Sequence, residues 1–185
     1  MKYTRYKFSR NLAWEIMVKE HISELPVKVI PLCKRLGIKV IKYSEAPRVP
    51  KVGDGFSAVI GKKAYIFYND SVISKRQRFT IAHEIGHILL GHNETEVEDR
   101  EVEADVFASR LLMPVCILKE CNVQTAEDIM LLCDVSKAAA EIRLKRFKVL
   151  TERNKFYLHP LERKVKKRFK NFIKDHRLNR EAAQA

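Results

Sequence analysis

Apolar positions along the chain change from strand-like to helical spacing and so predict a mixed fold. Residues 38–43, 56–60 and 64–68 are short apolar runs, and the last two flank Gly61 as in a β-hairpin. Elsewhere the apolar residues recur at helical spacing. The predicted helices cover residues 11–20, 23–36, 74–90, a segment capped at 93–96 that runs to 113, 125–132, 136–150 and 161–179. The pattern therefore predicts an α+β fold, with a small antiparallel sheet before a central helix and a helical C-terminal region after it.

The central helix carries the sequence His-Glu-x-x-His. Ser74 is its predicted N-cap and Gly91 its predicted end. His83 and His87 are four residues apart, so both imidazoles lie on one face and can reach one Zn²⁺ at roughly 2.0–2.1 Å. Glu84 follows the first histidine directly, where it can act as a general base toward water. A carboxylate in a largely apolar helix is costly without a compensating cation, so the residues predict a metal site, with Zn²⁺ as the metal and Mn²⁺ as the alternative.

A catalytic zinc site needs a third protein ligand and an open position. The next predicted helix supplies acidic candidates, and the helix dipole accounts for the first of them, Glu96, Glu98 and Asp99. Glu101 falls within the apolar stripe formed by Val97, Ala104, Ala108 and Leu111, whereas Glu103 lies off its edge. Glu101 is therefore the favoured ligand and Glu103 the alternative. Asp105, one turn after Glu101, can hydrogen-bond to the back of a ligand histidine and fix its tautomer.

These residues together resemble the ImmA/IrrE metallopeptidases. The matching motifs are His83-Glu84-Ile85-Gly86-His87 and Glu101-x-x-Ala104-Asp105-x-Phe107-Ala108-x-x-Leu111-Leu112-Met113-Pro114, and the resemblance covers roughly residues 25–115. It implies a zincin-like metallopeptidase core in which a small sheet packs on the metal helix. By the motif match, His83, His87 and Glu101 bind zinc and Glu84 is the general base.

The resemblance also implies a role. Proteins of this family resemble intracellular anti-repressors, which cut or otherwise inactivate a transcriptional repressor. The repressors concerned control mobile elements, prophages or stress regulons. It therefore implies a zinc-dependent endopeptidase whose protein substrate is a helix-turn-helix (XRE-type) repressor. The alternative is a non-catalytic regulator that binds a repressor or DNA and uses the metal structurally. Glu84 favours the enzyme, because a purely structural site has no need of a general base.

Many metallopeptidases add a side-chain donor that stabilises the oxyanion of the tetrahedral intermediate. Two candidates are close to the motif in sequence, Tyr68 at the end of a predicted strand and His92 just after the metal helix. The sequence favours neither as that donor, and His92 is better explained as a structural residue at the helix end.

The second half of the chain resembles a helix-turn-helix over residues 126–147, with Ser136 capping the second helix. DNA contacts would come from the basic residues of that helix, Lys137, Arg143, Lys145 and Arg146. The alternative is an αα-hairpin that completes the peptidase, and Ala138–Ala140 with Ile142 favour such packing. The predicted division of the chain is a zincin-like core with N-terminal helices at 1–115, a helix-turn-helix-like region at 116–150 and a basic helical tail at 151–185.

The net charge of +13 is concentrated at the C-terminal end. Residues 143–185 hold 15 Lys and Arg against 4 Asp and Glu, so they contribute +11. Weak, non-specific nucleic-acid binding by this segment is favoured over sequence-specific readout, and an acidic protein partner is the alternative.

Cysteine content and hydropathy indicate the compartment. No 18-residue apolar run is present, and Glu15 and Lys19 interrupt the only apolar stretch near the N-terminus, so neither a membrane span nor a signal peptide is expected. The four cysteines lack CxxC spacing, which favours reduced thiols in a cytoplasmic protein. A zinc site built on Cys116 and Cys121 is a disfavoured alternative.

Overall fold

A computed structural model describes residues 3–92, 97–157 and 159–182 of the protein. In chain order its elements are α1 (Tyr3–Lys19), α2 (Val29–Arg35), β1 (Ile38–Lys42), β2 (Gly55–Ile60), β3 (Lys63–Tyr68), α3 (Ser74–Leu90), α4 (Val97–Leu112), α5 (Val115–Glu120), α6 (Ala126–Cys133), α7 (Lys137–Glu152), α8 (Pro160–Arg168) and α9 (Lys170–Ala182). The predicted α+β class is confirmed. The predicted capping segment at residues 93–96 lies outside the described residues.

The sheet is mixed, which corrects the prediction of a purely antiparallel one. Strands β2 and β3 form the expected antiparallel hairpin, with Ser57 opposite Ile66. Strand β1 pairs in parallel with the other side of β3, giving the order β1-β3-β2. An apolar pattern predicts a strand but not its direction, and the direction of β1 depends on the long connection that follows it. A hydrogen bond holds that connection in place, in which the Tyr43 hydroxyl donates to the carbonyl of Val52 at 2.9 Å.

Helix α3 packs against β2 and β3, so the predicted arrangement of sheet on metal helix is confirmed. Ile81, Ala82 and Ile85 give it a fully buried face. The helix ends as predicted at Gly91, whose left-handed backbone (φ 67°) suits glycine. Its beginning differs by one residue, because Ile73 occupies the N-cap and Ser74 is already helical.

Two compact units divide the described chain. The first consists of residues 1–12 and 28–108, and the second of residues 13–27 and 109–185, apart from the positions outside the described ranges. The first part of α1, the sheet, α2, α3 and most of α4 form the first unit, whose core includes Leu32 and Ile66. The second unit is helical. The three-part division of the chain predicted from sequence stays a prediction.

Helices α6 and α7 pack on one another as the helix-turn-helix pattern predicts. Thr125 caps α6 through a capping box with Asp128, and Ser136 caps α7. The predicted DNA-facing role of Arg143 is wrong, because that side chain is 1% exposed and its Nε donates to the Met113 carbonyl at 2.7 Å. The packing role predicted for Ile142 is also wrong, since it is 71% exposed.

The C-terminal region departs from its predicted single helix. The basic segment is two helices, α8 and α9, that meet at Phe169. Val165, Phe169 and Ile173 are all buried, so these apolar residues at helical spacing form the inner side of the two helices. The apolar spacing remains continuous across the break, which is why the pattern predicts one helix.

The thiols agree with a reduced state. All four cysteines are buried and free of disulfides. Burial raises the pKa of Cys33 to about 12 and that of Cys121 to about 11, so these thiols stay protonated at neutral pH. A protonated thiol is a poor metal ligand, which disfavours the cysteine-based zinc site. Among the described residues, no helix combines the length and apolar character that crossing a membrane requires.

Candidate metal centre

Two helices bring the predicted ligands to one point. His83 Nε2 lies 2.8 Å from His87 Nε2, as the spacing on α3 predicts. Glu101 reaches across from α4, and its carboxylate oxygens lie 3.2 Å from His83 Nε2 and 3.3 Å from His87 Nε2. Three donor groups, two imidazole nitrogens and one carboxylate with both of its oxygens, therefore form one small triangle.

The size and chemistry of this triangle fit a transition-metal ion. Donors held at about 2.0–2.1 Å by a tetrahedral Zn²⁺ are roughly 3.3 Å apart. The two oxygen–nitrogen distances already match that spacing, and the two histidine nitrogens need only a slight separation. Two imidazoles and one carboxylate are also the donor set of a catalytic zinc site, in which a fourth position stays open.

The two histidines differ in their electrostatic surroundings. Burial works to lower the pKa of His83, but the hydrogen bond to Asp105 and the carboxylates of Glu84 and Glu101 give a net rise. Burial and the adjacent His83 lower the pKa of His87. The nearby carboxylates therefore favour positive charge at His83, whereas burial disfavours it at His87.

Asp105 makes the predicted contact behind a ligand. Its Oδ1 lies 2.9 Å from His83 Nδ1, on the opposite side of the ring from Nε2. A proton on Nδ1 leaves Nε2 free as a metal donor, so this hydrogen bond selects the tautomer that can coordinate.

Glu84 is held by the sheet close to the donor cluster, which is the triangle of His83, His87 and Glu101. One donor atom each from His83, Glu84 and His87 lies within 4.8 Å of the others. Burial raises the pKa of Glu84, while hydrogen bonds from the side chain and backbone of Ser57 on β2 partly offset that rise. Sequence reasoning did not identify Ser57, because nothing in its local pattern marks it. Glu84 is thus fixed beside the cluster, whereas Glu101 contacts both histidines.

The edge of the apolar stripe on α4 lies elsewhere than its periodicity predicts. Glu101, expected inside the stripe, has a side chain that is 60% exposed. Glu103, expected off its edge, has a side chain that is only 5% exposed. Ala104, Phe107 and Ala108 are fully buried, so the stripe extends toward Glu103. Glu101 therefore contacts the two histidines from the solvent-exposed side of the site, where there is room for both a metal ligand and an incoming substrate.

Neither sequence candidate for the oxyanion donor faces this site. Tyr68 is buried at the end of β3 and does not line the cavity beside the histidines. His92 is also buried, with its ring nitrogens near His87 and Glu103. The cavity is about 410 Å³, and its walls include Gly55, Thr80 and Arg76, which pairs with Asp54. Arg76 is a cationic wall residue that sequence reasoning missed.

Gly86, between the two histidines, allows α4 to approach α3 closely. A Cβ at this position would lie 3.2 Å from Ala104 Cα and 3.2 Å from Phe107 Cδ1. These distances are shorter than an ordinary van der Waals contact. The absence of a side chain therefore sets the separation across which Glu101 reaches His83 and His87.

Replacing Gly86 with Val should push the two helices apart. We expect Gly86→Val to cost about 1–3 kcal/mol in unfolding free energy through overpacking and to weaken metal binding, because Glu101 moves with α4. Urea unfolding and a metal-binding titration check the two effects. Ala138→Val, at an exposed position of α7, is the control for placing a β-branched residue in a helix. An unchanged metal affinity in Gly86→Val would contradict the link between this contact and the donor triangle.

The sheet packed on the metal helix and the donor cluster on its open side define a protein of the metallopeptidase class. The model of the Peptidase_M78 family, the IrrE N-terminal-like domain, matches residues 33–145, which is more than half of the chain. The chain belongs to this family, and the resemblance to ImmA/IrrE metallopeptidases is confirmed. None of the curated proteins gives a significant match to the chain.

Proposed function

We propose that the protein is a zinc-dependent endopeptidase that cleaves a helix-turn-helix transcriptional repressor and so derepresses a mobile element, prophage or stress regulon. The observation that carries the enzymatic part is the convergence of His83, His87 and Glu101 with Glu84 fixed beside them. Membership of the Peptidase_M78 family supports the same chemistry. The repressor substrate rests on the family resemblance.

The roles follow from the positions of the side chains. His83, His87 and Glu101 would hold the metal, since their donor atoms form the triangle described above. The bound metal supplies Lewis-acid polarisation of the scissile carbonyl. Asp105 would keep His83 in the tautomer that can coordinate.

Glu84 would move the protons. Its raised pKa, caused by burial, brings the carboxylate closer to the range in which a general base works near neutral pH. It would accept a proton from the attacking water and later donate it to the amine nitrogen that leaves. Ser57 orients the carboxylate for both steps.

Strand β2 offers a place for an extended substrate. It pairs with β3 on one side and lies at the edge of the described sheet. Gly55 and Ser57 connect this strand to the cavity and to Glu84. An exposed edge can add a peptide strand through backbone hydrogen bonds, and so present a peptide bond to the cluster.

Incubation with a candidate repressor tests the proposal most directly. The probe is a purified XRE-type helix-turn-helix repressor, incubated with the zinc-loaded protein and with the same protein treated with a chelator. We expect cleavage only in the zinc-loaded sample, detected by mass spectrometry of the fragments. An intact repressor that nonetheless releases its operator would favour the non-catalytic alternative.

A second, separate activity is weak binding of nucleic acid by the basic tail. Helices α8 and α9 border a groove of about 510 Å³ whose rim includes Arg163, Lys167, Lys170 and Lys174. Among the described residues, its lining contains one acidic side chain, that of Glu120, which is paired with Lys166 at 2.7 Å and Arg177 at 2.9 Å. The described lining therefore carries a net positive charge, which suits phosphate groups.

Charge reversal in the groove should weaken this binding. We expect Lys167→Glu/Lys174→Glu to bind a labelled random-sequence DNA duplex more weakly, with a salt slope reduced by about one for each lost phosphate contact. Fluorescence anisotropy across a salt series measures both. The control, Lys39→Glu/Lys51→Glu, makes the same charge change at exposed positions outside the tail. An equal loss in both variants would show that net charge, and not the groove, determines binding.

A further inference from the structure

A row of hydrogen bonds leads from the second histidine of the motif into the protein. His87 Nδ1 lies 2.9 Å from His92 Nδ1, and His92 Nε2 lies 3.1 Å from Glu103 Oε2. The other oxygen of Glu103 accepts from Arg5 Nη1 of α1 at 3.2 Å. The side chains of His92 and Glu103 are only 4% and 5% exposed. Two ionisable groups almost excluded from water therefore stand behind a metal donor.

The local sequence places His92 behind His87. Gly91 ends α3 in the left-handed conformation, and the next N–H, that of His92, donates to the His87 carbonyl at 3.2 Å. The chain thus folds back, and the His92 ring comes to rest against the helix it has just left. Burying the Glu103 carboxylate is costly unless it is hydrogen-bonded. His92 and Arg5 both lie within hydrogen-bonding distance of it.

We propose that His92 and Glu103 are positioning residues that fix the tautomer and ring orientation of His87. The inference rests on the metal site proposed above. A histidine that coordinates through Nε2 carries its proton on Nδ1. His87 Nδ1–H must then donate to His92 Nδ1, which leaves the His92 proton on Nε2, where it donates to Glu103. Arg5 donates to the remaining oxygen, so every group in the row has a compatible partner.

The opposite direction of hydrogen bonding does not fit the row. If a neutral His92 donated from Nδ1 to His87, its Nε2 would be an acceptor facing the carboxylate of Glu103. Two acceptors at 3.1 Å repel one another, and the site is too buried for water to relieve them. For a neutral His92, the buried carboxylate therefore favours the arrangement that leaves His87 Nε2 free for a metal.

This row complements the contact behind the other histidine. His83 is supported by Asp105, whose side chain is 59% exposed, whereas the support of His87 is enclosed. Hydrogen-bond partners of this kind typically change metal affinity by about 10–100-fold when they are removed. His92 and Glu103 thus have an expected effect large enough to measure.

The experiment measures the zinc affinity of the folded protein by competition with a chromophoric chelator. We expect Glu103→Gln and His92→Phe each to weaken zinc binding by roughly 10–100-fold and to change the visible spectrum of the cobalt-substituted protein. Glu103→Asp keeps the carboxylate and should recover part of the affinity. Glu141→Gln, at an exposed position of α7, removes the same charge and should bind zinc as the natural protein does.

The outcomes separate this inference from the proposed function. A natural protein that binds no zinc overturns the metal site itself. If the natural protein, Glu103→Gln and His92→Phe all bind zinc with equal affinity, the positioning role is overturned, even if both variants melt at a lower temperature. The two variants change different residues, so the failure of one to fold leaves the other as the test, and His92→Gln replaces both if neither folds.

Discussion

Replacing Glu84 with Gln should abolish peptide-bond cleavage while leaving the fold and the bound metal intact. The amide keeps the size of the side chain and can still hydrogen-bond to Ser57, but it cannot accept a proton from water. General acid–base catalysis typically contributes roughly 10²–10⁴-fold to the rate, so a loss of that order is expected. The measurement is the rate of cleavage of the cognate repressor at saturating zinc, with metal content determined on the same sample.

The control for Glu84→Gln is Glu141→Gln, which makes the same chemical change at an exposed position far along the chain in the second unit. Full activity is expected in that variant. Cleavage by Glu84→Gln at the natural rate would show that another group moves the proton. Loss of metal from Glu84→Gln would instead indicate that Glu84 is a ligand, and the roles of Glu84 and Glu101 would then have to be exchanged.

Replacing His83 with Ala should remove the metal. One of three protein donors is lost, and Glu101 and Asp105 lose the partner that both of them contact. The loss of affinity should exceed the roughly 10–100-fold expected for an outer hydrogen-bond partner. Atomic absorption on purified protein should fall from about one metal ion per chain to near zero, and cleavage should fall with it.

His176→Ala is the matched control, because His176 lies on α9 in the second unit and stacks on Phe172. It should keep its metal. Stoichiometric zinc in His83→Ala would mean that the histidines of the motif do not form the metal site. That result would leave the Peptidase_M78 membership intact and remove only the catalytic interpretation.

The sequence predicted the parts of the site that follow from local geometry. Spacing by four residues on a helix places His83 and His87 together whatever surrounds them. The hydrogen bond that Asp105 accepts from His83 could likewise be predicted, because it needs only a second helix carrying an acid at the right distance from Glu101. Gly91 ends the metal helix for an equally local reason, its positive φ.

The parts that the sequence did not predict depend on contacts between elements distant in the chain. Ser57 approaches Glu84 because β2 lies beside α3, and the buried Glu103 is contacted by His92 and Arg5 from two other segments. Glu101 was favoured as a ligand for a burial that it does not have, although it is the residue that contacts both histidines. The apolar spacing correctly predicted a stripe on α4 but put its edge in the wrong place. Glu101 was therefore expected to be the more buried of the two residues, whereas Glu103 is.

The direction of β1 shows the same limit at the level of the fold. Alternation of apolar side chains is identical in parallel and antiparallel strands, so the pattern predicted three strands without ordering them. The hairpin of β2 and β3 was predictable because its turn is short. The parallel pairing of β1 depends on where a longer connection returns the chain, which no short segment encodes.

The donor triangle joins two helices that are separate in the chain, and this has a consequence for stability. An ion seated between them ties α3 to α4, so its binding free energy adds to that of the folded state alone. Each tenfold rise in free metal above the dissociation constant should then add about 1.4 kcal/mol to the resistance to unfolding. The melting temperature of this protein should therefore rise with the concentration of free metal in its surroundings.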